Sequence, residues 1–582
     1  MHIGISCRPQ SRSKPTFARV AAQALCAATL VFAGGLAPAV EAAETAVGPQ
    51  LAARVTFDGL VPYHQAREAI VDAKGRTRVI VDFVDEAQDA YLEAASEDVK
   101  RFVPGRDRHN QITLRLIEDY ERRFGIEPVY RTNAKGEPER SNLTTWVGAS
   151  LTAYLTSEQI DGLRRDKNVR LVTQDGPIKF STPPAPPWLP SWNGPDWGEL
   201  NDWGWIAVGG TPRLPGSTRK VYILDSGVAN HGDLNSVIDR RNVVPPDAPG
   251  AKYLVGCYAH ATHVAGIIGA AENNGSNRRG VYAGVNMVSL AIGSDTTNSG
   301  LACNTGVDSA VGAIGIALDL IFSEGIGVIG SPQLKPHIVN LSANPNTETG
   351  FSALGVAGTN QQKIVSLISP RWAFPPQWSP LWHPGHVFVQ SAGNQFENVC
   401  SDEQSKVFKP AWNASNTPVD DAIVVSALNA QGNPVGANGR FKDAYPAFGD
   451  SIPPWPLSPP YILVGEAGSN YGLCVDMWAP GDFIYSTWGV GRRTTLQSGN
   501  YSGGQPESCA SGTCMSPPQQ GWAWLSGTSM AAPHVAATAA YVADLYGLTT
   551  PAAIEQKLRD LWLVLPTLDA ASAPVRMVRL SN

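Results

Sequence analysis

The spacing of apolar and polar positions predicts a small mixed unit of strands and helices in the first third of the chain. Residues 76–84 alternate between apolar and polar side chains, as in a strand with one buried face. Apolar positions that recur every three or four residues predict amphipathic helices at 86–102 and 113–124. Thr156 and Gln159 form a capping-box pattern, which predicts the start of another helix. The remaining strands of this α+β unit are predicted at residues 142–155 and 169–172.

From residue 219 onwards the pattern changes to short apolar runs that alternate with helical segments. Short apolar runs of this kind are typical of strands buried on both faces. Their alternation with helices predicts an α/β fold, a doubly wound, mostly parallel sheet with helices on both faces. The strands are predicted at residues 221–224, 337–341, 386–389 and 422–425. The helices are predicted at residues 260–271, 307–323 and 529–545.

Charge separates the same two pieces of the chain. Lys, Arg, Asp and Glu occupy 41 of the 132 positions in residues 44–175, but only 50 of the 407 positions in residues 176–582. The whole chain of 582 residues is 43% hydrophobic and has a formal net charge of -6. This composition favours a globular protein over a disordered one and excludes the broad basic surface that nucleic-acid binding needs. We therefore expect no nucleic-acid partner.

The first 42 residues have the pattern of an export signal. Four basic residues precede an apolar run at residues 20–36, and Val40 and Ala42 fit the small-residue cleavage rule. A membrane anchor is the alternative, but 17 residues rich in Ala and Gly are marginal for a membrane span. We predict a signal peptide at residues 1–42 and a secreted protein, extracellular or periplasmic, with no membrane association after cleavage.

Six cysteines remain once the signal is removed, and an even number in an exported chain favours disulfides. Six cysteines allow 15 pairings, and we expect neighbours along the sequence to pair. A metal site is the alternative, but the chain has no Cys-x-x-Cys pair and no nearby His cluster to support it. The expected pairs are Cys257–Cys303, Cys400–Cys474 and Cys509–Cys514.

A proline-rich stretch at residues 181–187 separates the charged piece from the rest of the chain. Closely spaced prolines favour an extended and exposed backbone, which suits an interdomain linker. Exposed extended segments are also where proteases cut, so a processing site within residues 175–192 is the second interpretation. We assign a Pro/Trp-rich linker to residues 183–199.

Three segments place side chains of catalytic types at the ends of predicted elements. Asp225 ends an apolar strand, where open α/β sheets carry their sites, although many strands end in a capping Asp. His260 opens a helix; metal binding together with His263 is the alternative, but the Glu that usually lies between two such ligands is missing. Ser529 opens an apolar helix, whose N–H groups and positive dipole end favour an oxyanion. An ordinary N-cap is the alternative, yet neighbouring hydroxyls already supply that role.

In the order Asp, His, Ser, these segments resemble the subtilisin family of serine proteases. The string Gly-Thr-Ser-Met-Ala-Ala-Pro at residues 527–533 is the most specific match, and His-Gly-Asp-Leu at 231–234 also fits. The resemblance covers about residues 200–560 and implies a subtilisin-like sheet. Residues 155–175 resemble the end of the family's inhibitory propeptide. Further family-like segments are residues 340–344, 391–394, 469–472 and 479–481.

The resemblance implies a role for each matching residue. Ser529 would attack a peptide carbonyl, and His260 would take its proton and return it to the leaving amine. Asp225 would orient the ring of His260 and stabilise its charged form, whereas His263 would be structural. The side-chain amide of Asn394 would bind the oxyanion together with the backbone N–H of Ser529. The substrate-binding residues implied are Leu341, Ser342, Ala343, Ser391, Ala392 and Gly393.

The chain departs from the family's pattern at several positions. Ala261 follows His260 where the family usually has Gly. Ala343 and Asn344 replace the usual Leu-Gly on the strand that pairs with substrate, so the Asn344 side chain is expected to narrow the upstream subsites. The matching S1 wall at residues 391–393 is small and uncharged, which favours an apolar or broad P1 preference.

These observations predict a secreted serine endopeptidase that works through an acyl-enzyme and is made as a self-processing zymogen. Residues 43–182 are the predicted propeptide, an intramolecular inhibitor and folding aid, and residues 200–582 the peptidase domain. The expected partners are protein or peptide substrates, and we expect a monomer. The chemistry requires no cofactor; structural calcium is expected from the resemblance alone, since no EF-hand-type loop is present. The alternatives are a peptide-binding pseudoprotease and a transpeptidase that uses the same triad.

Overall fold

The structure is a computed structural model that describes parts of the chain between residues 60 and 580. The predicted signal peptide and linker lie outside the described residues, as do all the cysteines except Cys474. Among the helices that the structure describes, none is both long and apolar enough to cross a bilayer. The described residues are 60–61, 63–64, 69–93, 105–132, 136–145, 148–179, 203–210, 214, 216–247, 259–272, 279–295, 307–328, 335–345, 381–382, 385–399, 422–436, 442–443, 462–463, 468–489 and 520–580.

The elements are numbered in chain order within these residues. The strands up to residue 179 are β1 (Tyr63–His64), β2 (Thr77–Phe83), β3 (Tyr130–Thr132), β4 (Pro138–Arg140), β5 (Leu143–Thr144), β6 (Ser150–Leu155), β7 (Val169–Gln174) and β8 (Pro177–Lys179). The later strands are β9 (Lys220–Asp225), β10 (Val237–Asn242), β11 (Asn286–Ala291), β12 (Ser294–Asp295), β13 (Val307–Ala310), β14 (Gly327–Val328), β15 (Ile338–Leu341), β16 (Asn344–Pro345), β17 (Leu381–Trp382), β18 (Val387–Ser391), β19 (Ile423–Leu428), β20 (Lys442–Asp443), β21 (Ile462–Leu463), β22 (Met477–Pro480), β23 (Ile484–Gly489), β24 (Gln520–Leu525), β25 (Leu563–Leu568) and β26 (Pro574–Met577). The helices are α1 (Asp85–Glu93), α2 (Gly105–Phe124), α3 (Ser157–Arg164), α4 (Trp203–Ala207), α5 (Ala259–Gly269), α6 (Val311–Glu324), α7 (Thr528–Leu545) and α8 (Pro551–Leu561).

Elements β1 to β7 and α1 to α3 form a small α+β unit around a sheet of order β1-β7-β2-β6-β5. Strand β2 lies antiparallel to both β6 and β7. Its core includes Leu116 of α2, Leu151 of β6 and Leu163 of α3, all fully buried. The predicted capping box is confirmed, because the Thr156 hydroxyl accepts the Gln159 N–H and Gln159 Oε1 accepts the Thr156 N–H. The predicted boundaries of the propeptide around this unit stay a prediction.

A nine-stranded sheet forms the centre of the larger part, in the order β10-β11-β9-β15-β18-β19-β22-β26-β25. Its neighbouring strands are parallel, except for the β25–β26 hairpin at one edge. The four residues of β15 and the six of β19 are all buried, as expected for strands with helices on both faces. The predicted α/β fold with a mostly parallel sheet is confirmed.

Helices cover both faces of this sheet, and alternate residues of β9 show the two layers. Val221 and Ile223 pack into the cluster that contains α5 and α7. Tyr222 and Leu224 point to the opposite face and pack into the cluster that contains α6. Strand β9 therefore lies in the middle of three layers, between α5 and α7 on one face and α6 on the other.

The structure differs from the sequence prediction at the start of α6. Residues 307–323 are predicted to form one helix, but Val307–Ala310 form β13 and the helix begins at Val311. Strand β13 pairs antiparallel with both β12 and β8. Its backbone groups pair across a sheet instead of along a helix, and one of the two partners, β8, lies more than 100 residues earlier in the sequence.

Strand β8 connects the small unit to an edge of the larger part. It lies between β13 and β16 in a four-stranded sheet of order β12-β13-β8-β16. Ile178 pairs with Ser309 on one side and with Pro345 on the other, and Lys179 pairs with Asn344. Because β16 begins three residues after β15 ends, the chain that leaves the small unit runs beside the carboxyl end of the central sheet.

Candidate active site

Asp225 and His260 form a buried hydrogen-bonded pair at the carboxyl edge of the central sheet. Asp225 is the last residue of β9, and His260 lies in the first turn of α5. The Nδ1–H of His260 donates to both carboxylate oxygens of Asp225, at 2.8 Å to Oδ1 and 2.9 Å to Oδ2. The backbone N–H of Ser226 also donates to Asp225 Oδ1, at 2.6 Å. A ring held through Nδ1 keeps Nε2 as the nitrogen that can take up a proton.

Ser529 is the second residue of α7, directly after a turn that only glycine adopts readily. Gly527 is the N-cap residue, with φ of 150° in the region that side chains disfavour. Contrary to the sequence interpretation, neither neighbouring hydroxyl caps the helix. Ser526 Oγ accepts the N–H of Phe483, and Thr528 Oγ1 accepts the N–H of Gly393. Ser529 is therefore placed by a sharp glycine turn whose flanking hydroxyls bind other loops.

Ser342, the residue after β15, holds the Ser529 backbone and side chain. Ser529 Oγ donates to the Ser342 carbonyl at 3.0 Å, and Ser342 Oγ donates to the Ser529 carbonyl at 3.0 Å. The second bond is open to Ser342 because Pro533 has no N–H to donate to the carbonyl four residues earlier in the helix. Asn340 donates from Nδ2 to Ser342 Oγ at 3.0 Å, which fixes the hydroxyl in turn.

Asn394 lies three residues after β18, and Thr528 fixes its side-chain amide. Asn394 Oδ1 accepts hydrogen bonds from Thr528 N and Thr528 Oγ1, both at 2.9 Å. A Cβ added at Gly527 would lie 3.1 Å from Asn394 Nδ2, so this donor lies beside the turn before Ser529. The side chain is fully buried. Because its acceptor end is held, the donor end is held as well, beside the turn where the oxyanion of a carbonyl attacked by Ser529 would form.

The residues predicted to bind substrate follow the ends of two parallel neighbours, β15 and β18. Leu341 is the last residue of β15, and Ser391 is the last residue of β18. Ala392 packs in a core cluster with Val424 and Trp478, so its methyl group faces the interior. All six are buried: Leu341, Ser342, Ala343, Ser391, Ala392 and Gly393. Their roles toward substrate stay predictions.

Two side chains that organise this edge, Thr528 and Asn470, receive no role in the site from the sequence. Thr528 lies within the Gly-Thr-Ser string, and Asn470 lies within the family-like Ser-Asn-Tyr-Gly segment. Asn470 is fully buried, and its side chain bonds residues on both sides of Asn394. The family-like strings therefore point to the right segments. They do not predict the contact between Gln395 and Asn470, which lie 75 residues apart.

The remaining predictions near the site have mixed outcomes. His263 donates from Nε2 to the Ile484 carbonyl at 3.0 Å, a bond that suits a structural residue. Cys474 is disulfide-bonded to a cysteine outside the described residues. Val399 N donates to the Tyr471 carbonyl at 2.9 Å, which brings residue 399 close to the Cys474 loop. The Cys400–Cys474 pairing stays a prediction, and this contact agrees with it.

No metal site is evident in the part of the chain that the structure describes. There, no three or more His, Cys, Asp or Glu side chains come together in a group that could hold an ion. Structural calcium stays an expectation of the resemblance, and we derive no step through a metal.

Comparison with known proteins agrees with this arrangement. The family model described as "Subtilase family" matches residues 216–562, more than half of the chain. A cuticle-degrading protease of Metarhizium anisopliae is 39% identical over 92 residues, 16% of this chain and 16% of that protein. A subtilisin-like protease 2 of Arthroderma otae is 33% identical over 173 residues, 28% of this chain and 33% of that protein. The chain thus spans about a sixth to a third of the length of these curated relatives.

A search of solved structures matches fervidolysin from Fervidobacterium pennivorans, described as a keratinolytic enzyme related to subtilisin. It has a TM-score of 0.47 and 16% identity, and the match covers 89% of this chain and 63% of that one. A protease of Pseudoalteromonas arctica matches with a TM-score of 0.39 and 20% identity, over 69% of this chain and 97% of the other.

Proposed function

The chain belongs to the subtilase family, and on that premise we propose that it is a serine endopeptidase, exported and made as a zymogen. The observation that carries the proposal is the Asp225–His260 hydrogen bond at the same sheet edge as the Ser529 turn. An ordinary capping Asp or N-cap Ser would need no such partner. A capping role for Asp225 and an N-cap role for Ser529 therefore leave this arrangement unexplained.

Acyl transfer starts at Ser529 in the proposed reaction. Its Oγ attacks the carbonyl carbon of the scissile peptide, and His260 Nε2 takes the hydroxyl proton as the bond forms. The Asp225 carboxylate, already bonded to Nδ1, stabilises the resulting imidazolium. The carbonyl oxygen becomes an oxyanion that accepts from Asn394 Nδ2 and the Ser529 N–H. When the C–N bond breaks, His260 gives the proton to the leaving amine.

Water completes the cycle in the same site. His260 removes a proton from water, which attacks the acyl ester, and the same donors bind the second oxyanion. Release of the carboxylic acid returns the proton to Ser529. The residues present are sufficient for this chemistry, so we propose that it needs no cofactor. We also propose that the enzyme acts outside the cytoplasm and as a monomer.

The small α+β unit is proposed to be the propeptide, with β8 as its inhibitory end. Strand β8 lies between β13 and β16, in the antiparallel position that a substrate backbone would take. Lys179 pairs with Asn344, and one step forward on one strand is one step back on the other. Asn344 lies two residues after Ser342, the residue bonded to the Ser529 hydroxyl, so the carboxyl end of β8 lies on the side of Ser342. We therefore propose that the chain cuts itself after β8, within the interval that ends at residue 192.

Buried polar contacts support this docking. Arg78 of β2 donates from Nε to Asp175 at 2.9 Å and from a terminal NH group to Asp247 at 2.7 Å. Asp175 also accepts the N–H of Gly312, in the first turn of α6, at 2.9 Å. A carboxylate there interacts favourably with the positive end of the helix dipole. Burial raises the pKa of Asp175, and Arg78 and the Gly312 N–H partly offset this effect.

The activity is tested on casein or a peptide library with the self-processed parent and with the Ser529→Ala variant, whose propeptide is first removed by an added protease that is then inhibited. We expect the parent to cleave peptides and to be inactivated by serine-directed acylating reagents, and the variant to lose about a millionfold in kcat. Full activity in the variant would contradict the role of Ser529. An inactive but peptide-binding parent would favour the pseudoprotease. Transfer of the acyl group to an added amine in place of water would favour the transpeptidase.

A further inference from the structure

We propose that Asn470 is a positioning residue for the oxyanion donor Asn394, an inference that rests on the proposed function. Asn470 lies in the Ser-Asn-Tyr-Gly loop before β22, 76 positions along the chain from Asn394. Its side chain is fully buried, yet it touches neither Ser529 nor His260 in any bond described above. Its effect on the reaction would therefore pass through the turn that carries Asn394.

The Asn470 side chain bonds the chain on both sides of Asn394. Its Nδ2 donates to the Ala392 carbonyl at 2.9 Å and to Gln395 Oε1 at 3.3 Å. Its Oδ1 accepts the N–H of Gln395 at 3.0 Å and the N–H of Glu397 at 2.9 Å. One buried amide thus uses both donors and its acceptor to define the turn from residue 392 to residue 397.

Backbone contacts fix the same turn from the same loop. The N–H of Asn470 donates to the Gly393 carbonyl at 2.9 Å, and the N–H of Gly468 donates to the Asn394 carbonyl at 3.2 Å. Gly393 has φ of 102°, and a Cβ there would lie 2.5 Å from Asn470 Nδ2. The turn thus needs both a glycine conformation and the close approach of the Asn470 amide.

Gln395 links the two asparagines directly. Its Oε1 accepts the backbone N–H of Asn394 at 3.0 Å as well as the Asn470 amide. If Asn470 no longer donates, Gln395 loses the group that fixes which end of its amide faces Asn394. The Asn394 backbone then loses its fixed acceptor, while Thr528 still holds only the side-chain oxygen. A small displacement of an oxyanion donor lowers kcat with little effect on substrate binding.

The first test compares Asn470→Ala and Asn470→Asp with the parent on one chromogenic peptide. The aspartate keeps the acceptor for Gln395 and Glu397 but places an oxygen against the Ala392 carbonyl. We expect kcat to fall about tenfold to a hundredfold in both variants, with KM within about twofold. The matched control is Asn286→Ala. In the parent, the Asn286 amide donates to the Ser217 carbonyl at the amino end of β11, so kcat of this variant should stay within about twofold. Melting temperatures of all variants show that each is folded.

The second test is a double-mutant cycle with Asn394→Ala. If Asn470 acts through Asn394, Asn470→Ala should cost less than about twofold in kcat once Asn394 is already alanine. Equal losses in both backgrounds would overturn the inference, as would a rise in KM with unchanged kcat, or a loss no larger than that of the control. An inactive parent, or an Asn394→Ala variant with full kcat, would instead overturn the proposed function, and the inference with it.

Discussion

At the residue scale, the site depends on contacts between positions that are far apart in the chain. Asp225 and His260 could be predicted from the sequence because each lies in a short string that resembles a known family. The bonds that hold Ser529 could not, because Ser342 is 187 positions away and no local pattern encodes that pairing. Pro533 is an example. The sequence shows that a proline lies in the helix, but only the folded chain shows that Ser342 binds the Ser529 carbonyl, which Pro533 leaves without a helical donor.

The residue-scale prediction concerns Asp225. In Asp225→Asn, one end of the amide becomes a donor, so the His260 ring is favoured in the tautomer that carries its proton on Nε2. That nitrogen can no longer take the Ser529 proton, and we expect kcat to fall about ten-thousandfold with KM changed only a few-fold. The control is Asp239→Asn on β10, which should keep kcat within about twofold. A kcat loss in Asp225→Asn no larger than in the control would contradict the proposed role.

At the element scale, strands and helices with strong local patterns could be predicted, and elements made by remote pairing could not. The capping residues of α3 and the apolar runs of β9, β15 and β19 carry their own signal. Val307–Ala310 is apolar at both ends and continues into a helix, so its sequence favours helix, and only the pairing with β8 and β12 makes it a strand.

Two histidines lie directly before β15 and β18, and their hydrogen bonds also join residues that are remote in the sequence. Nδ1 of His337 accepts the backbone N–H of Lys220, and Nδ1 of His386 accepts the backbone N–H of His337.

The element-scale prediction is an acid-sensitive start of β15. Burial, with the nearby charges of Lys220 and Arg219, lowers the pKa of His337 to about 4, against the opposite effect of Glu324 and Asp544. Between the usual pKa of 6.5 and about 4, the unfolded chain takes up a proton there and the folded chain does not. The free energy of unfolding therefore falls as the pH drops from 6.5 towards 4, and this contribution of His337 is lost once the pH is below about 4.

The variant His337→Asn tests this claim. Its Oδ1 can accept the Lys220 N–H in place of Nδ1, and it does not titrate. We expect the melting temperature of the processed variant to fall less between pH 6.5 and 4 than that of the parent. Parallel curves for the two proteins would contradict the assignment, whatever their absolute difference.

At the scale of the whole molecule, the contrast in charge already separated the two pieces that the structure arranges as a small α+β unit and a larger sheet. Composition could not predict how they meet. That depends on β8 between β13 and β16 and on the buried Arg78, which bonds Asp175 and Asp247 at once. A buried arginine between two carboxylates is stable only when all three are brought together, so the contact has no signature in any one segment.

The central claim is that this chain is a zymogen that cuts itself with Ser529. It is tested most directly by the N-terminal sequence of the product, when the parent and Ser529→Ala are produced in a host that lacks other proteases. We predict that the parent yields a mature chain that begins between β8 and residue 193, and that the variant keeps its propeptide after signal removal. Equal processing of both chains, or a parent that stays uncut, would contradict self-cleavage by Ser529.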